Sequence, residues 1–136
     1  MSAPLLPRRR RRGAAALETA LVLPILITLI AGALETSWYL HTRYIVSDAA
    51  RAGARAAAVA TSPATITTQA RNAVRLYLSN QGLNPNTANV LVTTDTTSGT
   101  LVKIDVRVPY QPLVGLVPSP GTLRARSCIT YEDVSN

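Results

Sequence analysis

The N-terminal part of the chain contains a long apolar stretch. Between residues 13 and 34 there is one charged residue, the carboxylate Glu18. A helix that crosses a bilayer needs roughly 20 mostly apolar residues, so this stretch predicts a membrane-spanning helix. Beyond it, no helix breaker occurs before Ser62 and Pro63. We therefore expect one long helix over residues 14–60, with its outer part forming a stalk.

A second, shorter helix is predicted after that break. Apolar residues recur at intervals of three and four, as on one face of an amphipathic helix. The triplet Asn80, Gln81 and Gly82 is typical of a helix C-terminus. The apolar face consists of Ile66, Ala70, Ala73, Val74 and Tyr77.

Strand-like sequence follows the second helix. Residues 90–94 are rich in β-branched side chains, residues 100–108 alternate between apolar and polar, and residues 122–131 can return beside them. The predicted fold class is α+β, with a long N-terminal transmembrane and stalk helix, a second short helix and a small antiparallel sheet of about three strands. The apolar face of the alternating strand consists of Val102, Ile104, Val106 and Val108.

Two further groups of residues each have two interpretations. Ala49, Gly53 and Ala57 form a stripe of small residues that lets another backbone approach closely. We expect this stripe to pack on the sheet of the same domain, with contact between subunits as the alternative. The proline-rich segment 109–121 predicts a loop over the surface or against the membrane. Its apolar residues are expected to pack on the sheet rather than to form a partner site: Leu113, Val114, Leu116 and Val117.

The positive charge of the chain is concentrated before the apolar stretch. The formal net charge is +7, from 14 basic and seven acidic residues. Positive charge resists translocation and is attracted to anionic lipid, so we expect the N-terminus in the cytoplasm and the following domain outside. Trp38, Tyr39 and Tyr44 follow the apolar stretch, where amphipathic rings favour the headgroup layer. Five of the basic residues are consecutive: Arg8, Arg9, Arg10, Arg11 and Arg12.

Glu18 is an acid in a segment that is predicted to lie in lipid. A carboxylate in hydrocarbon costs a few kcal/mol on insertion scales, whereas an ammonium group about 4 Å away returns about 4 kcal/mol at an effective dielectric constant of roughly 20. Cutting the chain after Gly13 would create such a group, because the new amino terminus at Ala14 lies four residues before Glu18 on the same helix face. The alternative is that Glu18 only marks the start of the helix at the interface.

This segment resembles the processing and assembly region of type IV pilins. A basic leader ends in Gly13, the residues AAALE place the acid fifth after that glycine, and the apolar run contains Pro24. More closely, the segment is similar to the TadE-like minor pilins, or pseudopilins, of the tight-adherence (Flp) pilus system. The resemblance is dense over residues 11–34 and loose elsewhere. Thr19 departs from it, since that family commonly has an aromatic residue there.

The resemblance implies a function in pilus assembly. A prepilin peptidase would cut between Gly13 and Ala14, and the apolar helix would serve as membrane anchor and assembly stalk. The resemblance implies that Glu18 acts in assembly and processing. Pro24 removes one backbone hydrogen bond and bends a helix; a role in assembly and a kink without such a role are both open interpretations.

The resemblance also implies an organisation and a set of partners. Residues 1–13 would be a basic leader, 14–40 a transmembrane helix, and 41–136 an extracytoplasmic domain that includes a helical stalk at 41–60. The implied partners are the lipid bilayer, the prepilin peptidase, other pilin-like subunits and the pilus assembly platform. The implied location is the cytoplasmic membrane, crossed once, with incorporation into an extracellular pilus as a further option.

Two other interpretations of the apolar stretch remain open. The tripeptide at 31–33, Ala-Gly-Ala, fits a signal-peptidase site behind an apolar region of suitable length, which predicts a secreted domain beginning at Leu34. Glu18 and Pro24 argue against this, because neither improves a signal peptide. An uncleaved single-pass anchor of another envelope complex is the other interpretation.

The sequence does not predict an enzyme. It contains one histidine, His41, and one cysteine, Cys128, with no third group placed to orient them as a nucleophilic pair. It shows no metal-ligand spacing and no glycine-rich phosphate loop, so neither cofactor, metal nor small-molecule substrate is expected. Nucleic acid is not an expected partner either, since no aromatic or second basic patch accompanies the arginines. Cys128 is expected to be a small buried apolar residue, with pairing between chains as the alternative.

Overall fold

The structure is a computed structural model that describes residues 9–60, 62–95, 100–115 and 120–131. It contains two helices, α1 (Arg9–Ala58) and α2 (Pro63–Asn80), and three strands, β1 (Asn89–Asp95), β2 (Thr100–Pro109) and β3 (Thr122–Tyr131). The strands form an antiparallel sheet in the order β1-β2-β3. The predicted α+β class is confirmed.

Helix α1 has 50 residues and continues through Pro24. Within residues 13–34, here called the apolar half, every residue is exposed except Ala31 and Gly32, which are half-buried. Glu35, which is 2% exposed, is the first buried residue after Gly13. We call residues 35–58 the packed half. One continuous helix therefore has two very different surroundings.

Helix α2 ends where its sequence predicts, but it already begins at Pro63, which the sequence had placed in the break before the helix. Pro63 occupies the first turn, where its missing N–H costs no hydrogen bond. At the other end Gly82 has a φ of +76°, and the amide of Leu83 donates to the carbonyl of Leu78 at 3.0 Å, as in a helix C-terminal cap. The predicted face is confirmed at its buried centre and also includes Leu78. The fully buried members are Ile66, Ala70, Val74 and Leu78.

The core lies between the two helices and one face of the sheet. The predicted apolar face of β2 is confirmed, since Val102, Ile104 and Val106 are fully buried. Helix α1 contacts β2 and β3, whereas α2 contacts β1. The opposite face of the sheet carries the polar side chains of the alternating pattern.

The stripe of small residues packs inside the domain, as expected, but against α2 as well as the sheet. Ala49 and Ala57 are fully buried. A Cβ added to Gly53 would lie 2.6 Å from Cγ2 of Val74, 3.3 Å from the carbonyl oxygen of Ala70 and 3.4 Å from Cδ1 of Ile104. Glycine at this position is what allows α1 and α2 to approach so closely.

Two expectations about burial were wrong. Leu113 and Val114 are 58% and 53% exposed, while their backbone amides bind Glu35 of α1; residues 116–119 lie outside the described residues. Cys128 is exposed. It is paired with Lys103 in the sheet register, so strand alternation places it on the polar face.

Candidate functional site at the membrane end of the domain

The residues predicted to be processed lie in the first turns of α1. A Cβ added to Gly13 would meet no atom within 4 Å, and both Ala14 and Glu18 are exposed. Ala14 and Glu18 are one helical turn apart on the same face, as predicted. The hydroxyl of Thr19 donates to the carbonyl of Ala15 at 2.9 Å, so its hydrogen bond is made within the helix. Of the five arginines, residues 9–12 belong to α1 and Arg8 lies outside the described residues.

Large apolar side chains cover the apolar half of α1. They are between 49% and 75% exposed. One helix in the described part of the chain is long and apolar enough to cross a membrane. Such a surface is stable in lipid or against other apolar helices, and not in water. The exposed side chains are Leu17, Leu21, Val22, Leu23, Ile25, Leu26, Ile27, Leu29, Ile30 and Leu34.

A buried carboxylate marks the point where the apolar half ends. Oε1 of Glu35 accepts hydrogen bonds from the hydroxyl of Tyr110 at 3.3 Å and from the amide of Leu113 at 3.2 Å. Oε2 accepts from the amides of Val114 at 2.8 Å and Gly115 at 3.2 Å. Successive amides that converge on one anion form a backbone nest. We call these groups the Glu35 site, and residues 111–115 the Glu35 loop.

The loop conformation depends on its last residue. Gly115 has a φ of +74°, a region that other residues rarely adopt. This turn brings the amides of Val114 and Gly115 to the same carboxylate oxygen. The Glu35 loop is therefore bound to α1 through backbone groups, while the side chains of Leu113 and Val114 remain exposed.

Aromatic residues complete the site. The rings of Tyr39 and Tyr110 meet edge to face, with centroids 5.5 Å apart, and Nε1 of Trp38 donates to the carbonyl of Gln111 at 3.3 Å. Burial raises the pKa of the Tyr110 hydroxyl, and the adjacent Glu35 carboxylate raises it further. The hydroxyl thus stays protonated at neutral pH and can donate its hydrogen bond.

Comparison with known families identifies the N-terminal segment. Residues 13–55 match the family model described as TadE-like protein. Over this segment the chain is similar to TadE-like proteins. Searches of curated proteins and of solved structures gave no match to the chain. The resemblance expected from the sequence is confirmed, and it implies association with a membrane and with the tight-adherence pilus system.

The TadE-like segment coincides with particular structural features. It begins at Gly13, covers the whole apolar half and ends at Arg55, within the packed half. It therefore contains Glu18, Pro24 and Glu35, but neither α2 nor the sheet. The acid of the Glu35 site comes from the TadE-like segment, whereas its donors come from residues after β2.

Sequence analysis missed the Glu35 site. The signal available was an isolated acid directly after an uncharged stretch at 19–34. Its donors are 75 to 80 residues away in the chain, and three of them are backbone amides, which any residue other than proline supplies. The proline-rich loop gives no indication of which acid it binds.

A second charged cluster lies on the polar face of the sheet. Asp105 is 7% exposed, and Nε of Arg124 donates to its two oxygens at 2.9 and 2.8 Å. Arg107 and Arg126 approach it at 3.5 and 3.4 Å. The hydrogen bond and charge of Arg124 hold the pKa of Asp105 below its usual value, although burial opposes this. The same hydrogen bond raises the pKa of Arg124. One carboxylate thus holds three cations of β2 and β3 together.

The described side chains do not form a metal site. Across residues 9–60, 62–95, 100–115 and 120–131, no three His, Cys, Asp or Glu side chains are grouped so that they could hold a metal ion. His41 lies on α1 beside Trp38, with ring centroids 6.0 Å apart, and Cys128 lies on β3. The two residues do not form a pair.

Proposed function

We propose that the protein is a pilin-like structural subunit, a minor pilin or pseudopilin, anchored in the cytoplasmic membrane and acting in assembly of the tight-adherence pilus. The observation that carries the proposal is that the TadE-like match over residues 13–55 includes the whole exposed apolar half of α1. The contribution of this subunit is assembly, without catalytic turnover.

Processing would prepare the helix for assembly. The prepilin peptidase removes the basic leader after Gly13, and the amine of Ala14 then pairs with Glu18 in its own or an adjacent subunit. The arginines keep the leader in the cytoplasm, so the peptidase acts on that side and the domain lies outside. The open surroundings of Gly13 and the exposure of Glu18 leave both residues accessible for these steps.

The burial of the packed half supports an assignment of the subunit contacts to the apolar half. In the packed half, Ala49, Gly53 and Ala57 are already covered by α2 and the sheet. The apolar half has no such cover among the described residues. Contacts with other pilin-like helices are therefore assigned to the apolar half.

A pair of substitutions tests the processing step. Gly13→Leu should leave a longer, unprocessed band on a gel, because the peptidase would lose its glycine, whereas Ala33→Leu should be processed normally. Mass spectrometry of the natural product should give Ala14 as the first residue. The opposite pattern, with Ala33→Leu blocked and a product that starts at Leu34, would establish the secreted alternative. A product that retains Met1 or Ser2 would indicate an uncleaved anchor.

A second pair tests assembly. Glu18→Ala should keep membrane insertion but impair piliation, because the amine of Ala14 loses its partner. Thr19→Ala is the matched control, since it changes the adjacent residue and removes only a hydrogen bond within the helix. Electron microscopy of pili and membrane fractionation give the two readouts. Normal piliation in Glu18→Ala would refute the proposed role of this acid.

A further inference from the structure

The Glu35 loop presents apolar side chains beside the end of the apolar half. Leu113 is 58% exposed and Val114 is 53% exposed, although both backbone amides are bound to Glu35. Glu35 directly follows Leu34, the last residue of the apolar half, which is itself 55% exposed. Leu113 and Val114 thus add two exposed apolar side chains on the loop that binds the first residue after the apolar half.

The direction of the Glu35 side chain places the loop at membrane depth. In an α-helix the Cα–Cβ bond tilts toward the N-terminus, so a side chain covers the turn before its own Cα. The carboxylate of Glu35 therefore reaches back toward residues 31–34. Ala31 and Gly32 are the half-buried members of the otherwise exposed apolar half. The direction of this side chain thus indicates that the loop lies beside the last turn of the apolar half.

The length of the apolar half sets this depth relative to the bilayer. Residues 14–34 rise about 30 Å at 1.5 Å per residue, which matches a hydrocarbon core of about 30 Å. The last turn then lies at the outer boundary of the core. Trp38, which is 39% exposed, follows within one turn, at the level where indole rings favour the headgroup layer.

The hydrogen bonds of the loop suit it to this position. Irregular backbone is unfavourable near hydrocarbon unless its polar groups are satisfied by the protein. The amides of Leu113, Val114 and Gly115 are all satisfied by one carboxylate, and the carbonyl of Gln111 accepts from Trp38. The loop can thus expose apolar side chains to lipid without exposing these amides.

From these observations we propose that the Glu35 loop is a second membrane contact, which inserts Leu113 and Val114 into the outer interface of the bilayer that α1 crosses. The proposal rests on the membrane anchoring of α1 in the proposed function, but not on leader processing or pilus assembly. With α1 as one attachment and the loop as a second, the domain is held at a fixed angle to the membrane.

Spin labels on the full chain test this contact. In a Cys128→Ser background, single labels are placed at Val114→Cys, at Leu26→Cys in the apolar half and at Leu91→Cys on the polar face of the sheet. Leu26, Leu91 and Val114 are similarly exposed, at 49%, 52% and 53%, so they are matched in accessibility. The protein is reconstituted in phosphatidylcholine and phosphatidylglycerol vesicles at low protein content. Collision with oxygen, which concentrates in lipid, is compared with collision with a water-soluble nickel chelate.

The ratio of oxygen collisions to nickel-chelate collisions should be highest for the Leu26 label, intermediate for the Val114 label and lowest for the Leu91 label. A Val114 label that behaves like the Leu91 label would overturn the proposal. A Val114 label shielded from both reagents would also overturn it, because that result indicates contact with protein. A Leu26 label that collides mainly with the nickel chelate would instead show that the anchor itself is wrong.

A last variant tests the means by which the loop is positioned. Adding Glu35→Ala to the Val114→Cys protein should shift the label from lipid toward water, because the three amides lose their common acceptor. When Glu35→Ala is added to the Leu26→Cys and Leu91→Cys proteins, the collision rates of those labels should not change. An unchanged Val114 label would contradict the assignment of Glu35 as the residue that positions this loop.

Discussion

The two halves of α1 show how one helix meets two environments. In the apolar half, large side chains such as Leu17 and Leu21 are 75% and 72% exposed. In the packed half, many of the buried residues are small, and Ala49 and Ala57 are fully buried. Large apolar residues suit a surface that lipid or other helices will cover, whereas small residues let a second helix approach within the same domain.

Two acids show the same contrast. Glu18 is exposed in the apolar half, and its proposed partner is an amine that only proteolysis would create. Glu35 is 2% exposed and accepts four hydrogen bonds from its own chain. Glu18 is thus accessible to a partner, whereas hydrogen bonds within the domain occupy both carboxylate oxygens of Glu35.

The largest expected effect comes from a glycine of the packed half. Gly53→Leu should lower the free energy of unfolding by about 3 kcal/mol, because the new side chain would overlap Val74 and the backbone of Ala70. In the apolar half, a Cβ added to Gly32 would meet no atom within 4 Å. Gly32→Leu should therefore change the free energy of unfolding by less than about 0.5 kcal/mol. Urea unfolding in detergent, followed by circular dichroism, measures both. Equal effects would show that the two halves do not differ in packing.

A smaller effect is expected at the boundary. Glu35→Ala should destabilise the domain by about 2 kcal/mol, since three amides lose a charged acceptor. Water can reach the opened loop, which limits the loss. Hydrogen exchange should accelerate at Val114 and Gly115. Glu18→Ala serves as control and should leave exchange at these amides unchanged. Slow exchange in Glu35→Ala would mean that other contacts hold the loop.

The smallest effect concerns Asp105 and depends on pH. The pKa of Asp105 is lower in the folded state than in the unfolded state, so its stabilisation is present above the usual pKa of about 4 and is lost as the pH falls through the folded value. Asp105→Asn should therefore cost about 1.5 kcal/mol at pH 7, and the difference from the natural protein should shrink below about pH 4.

A surface pair in the packed half is the control for that titration. Asp48 and Arg51 are 3.4 Å apart, with side chains 48% and 66% exposed. Asp48→Asn should cost less than about 0.5 kcal/mol, because exposed ion pairs are weak. Unfolding curves measured from neutral to acidic pH compare the two variants. A pH-independent cost for Asp105→Asn would contradict the assigned titration.

Local patterns predicted most of the elements. The period of the apolar residues predicted α2 and its buried residues Ile66, Ala70 and Val74. The alternation of apolar and polar residues in β2 predicted which face of that strand lies in the core. Burial on the polar face was less predictable. Asp105 is buried because Arg124 of another strand covers it, and Cys128 is exposed although cysteine is usually buried.

The sequence by itself determined the apolar half of α1, the arginines before it and the TadE-like character of residues 13–55. These properties depend on residues that are neighbours in the chain, and helix periodicity and hydropathy capture them. Only the tertiary structure decided that Glu35 binds residues 110–115 and that Gly53 lies against α2. Those contacts join distant segments through backbone amides and close packing, and neither leaves a pattern in local sequence.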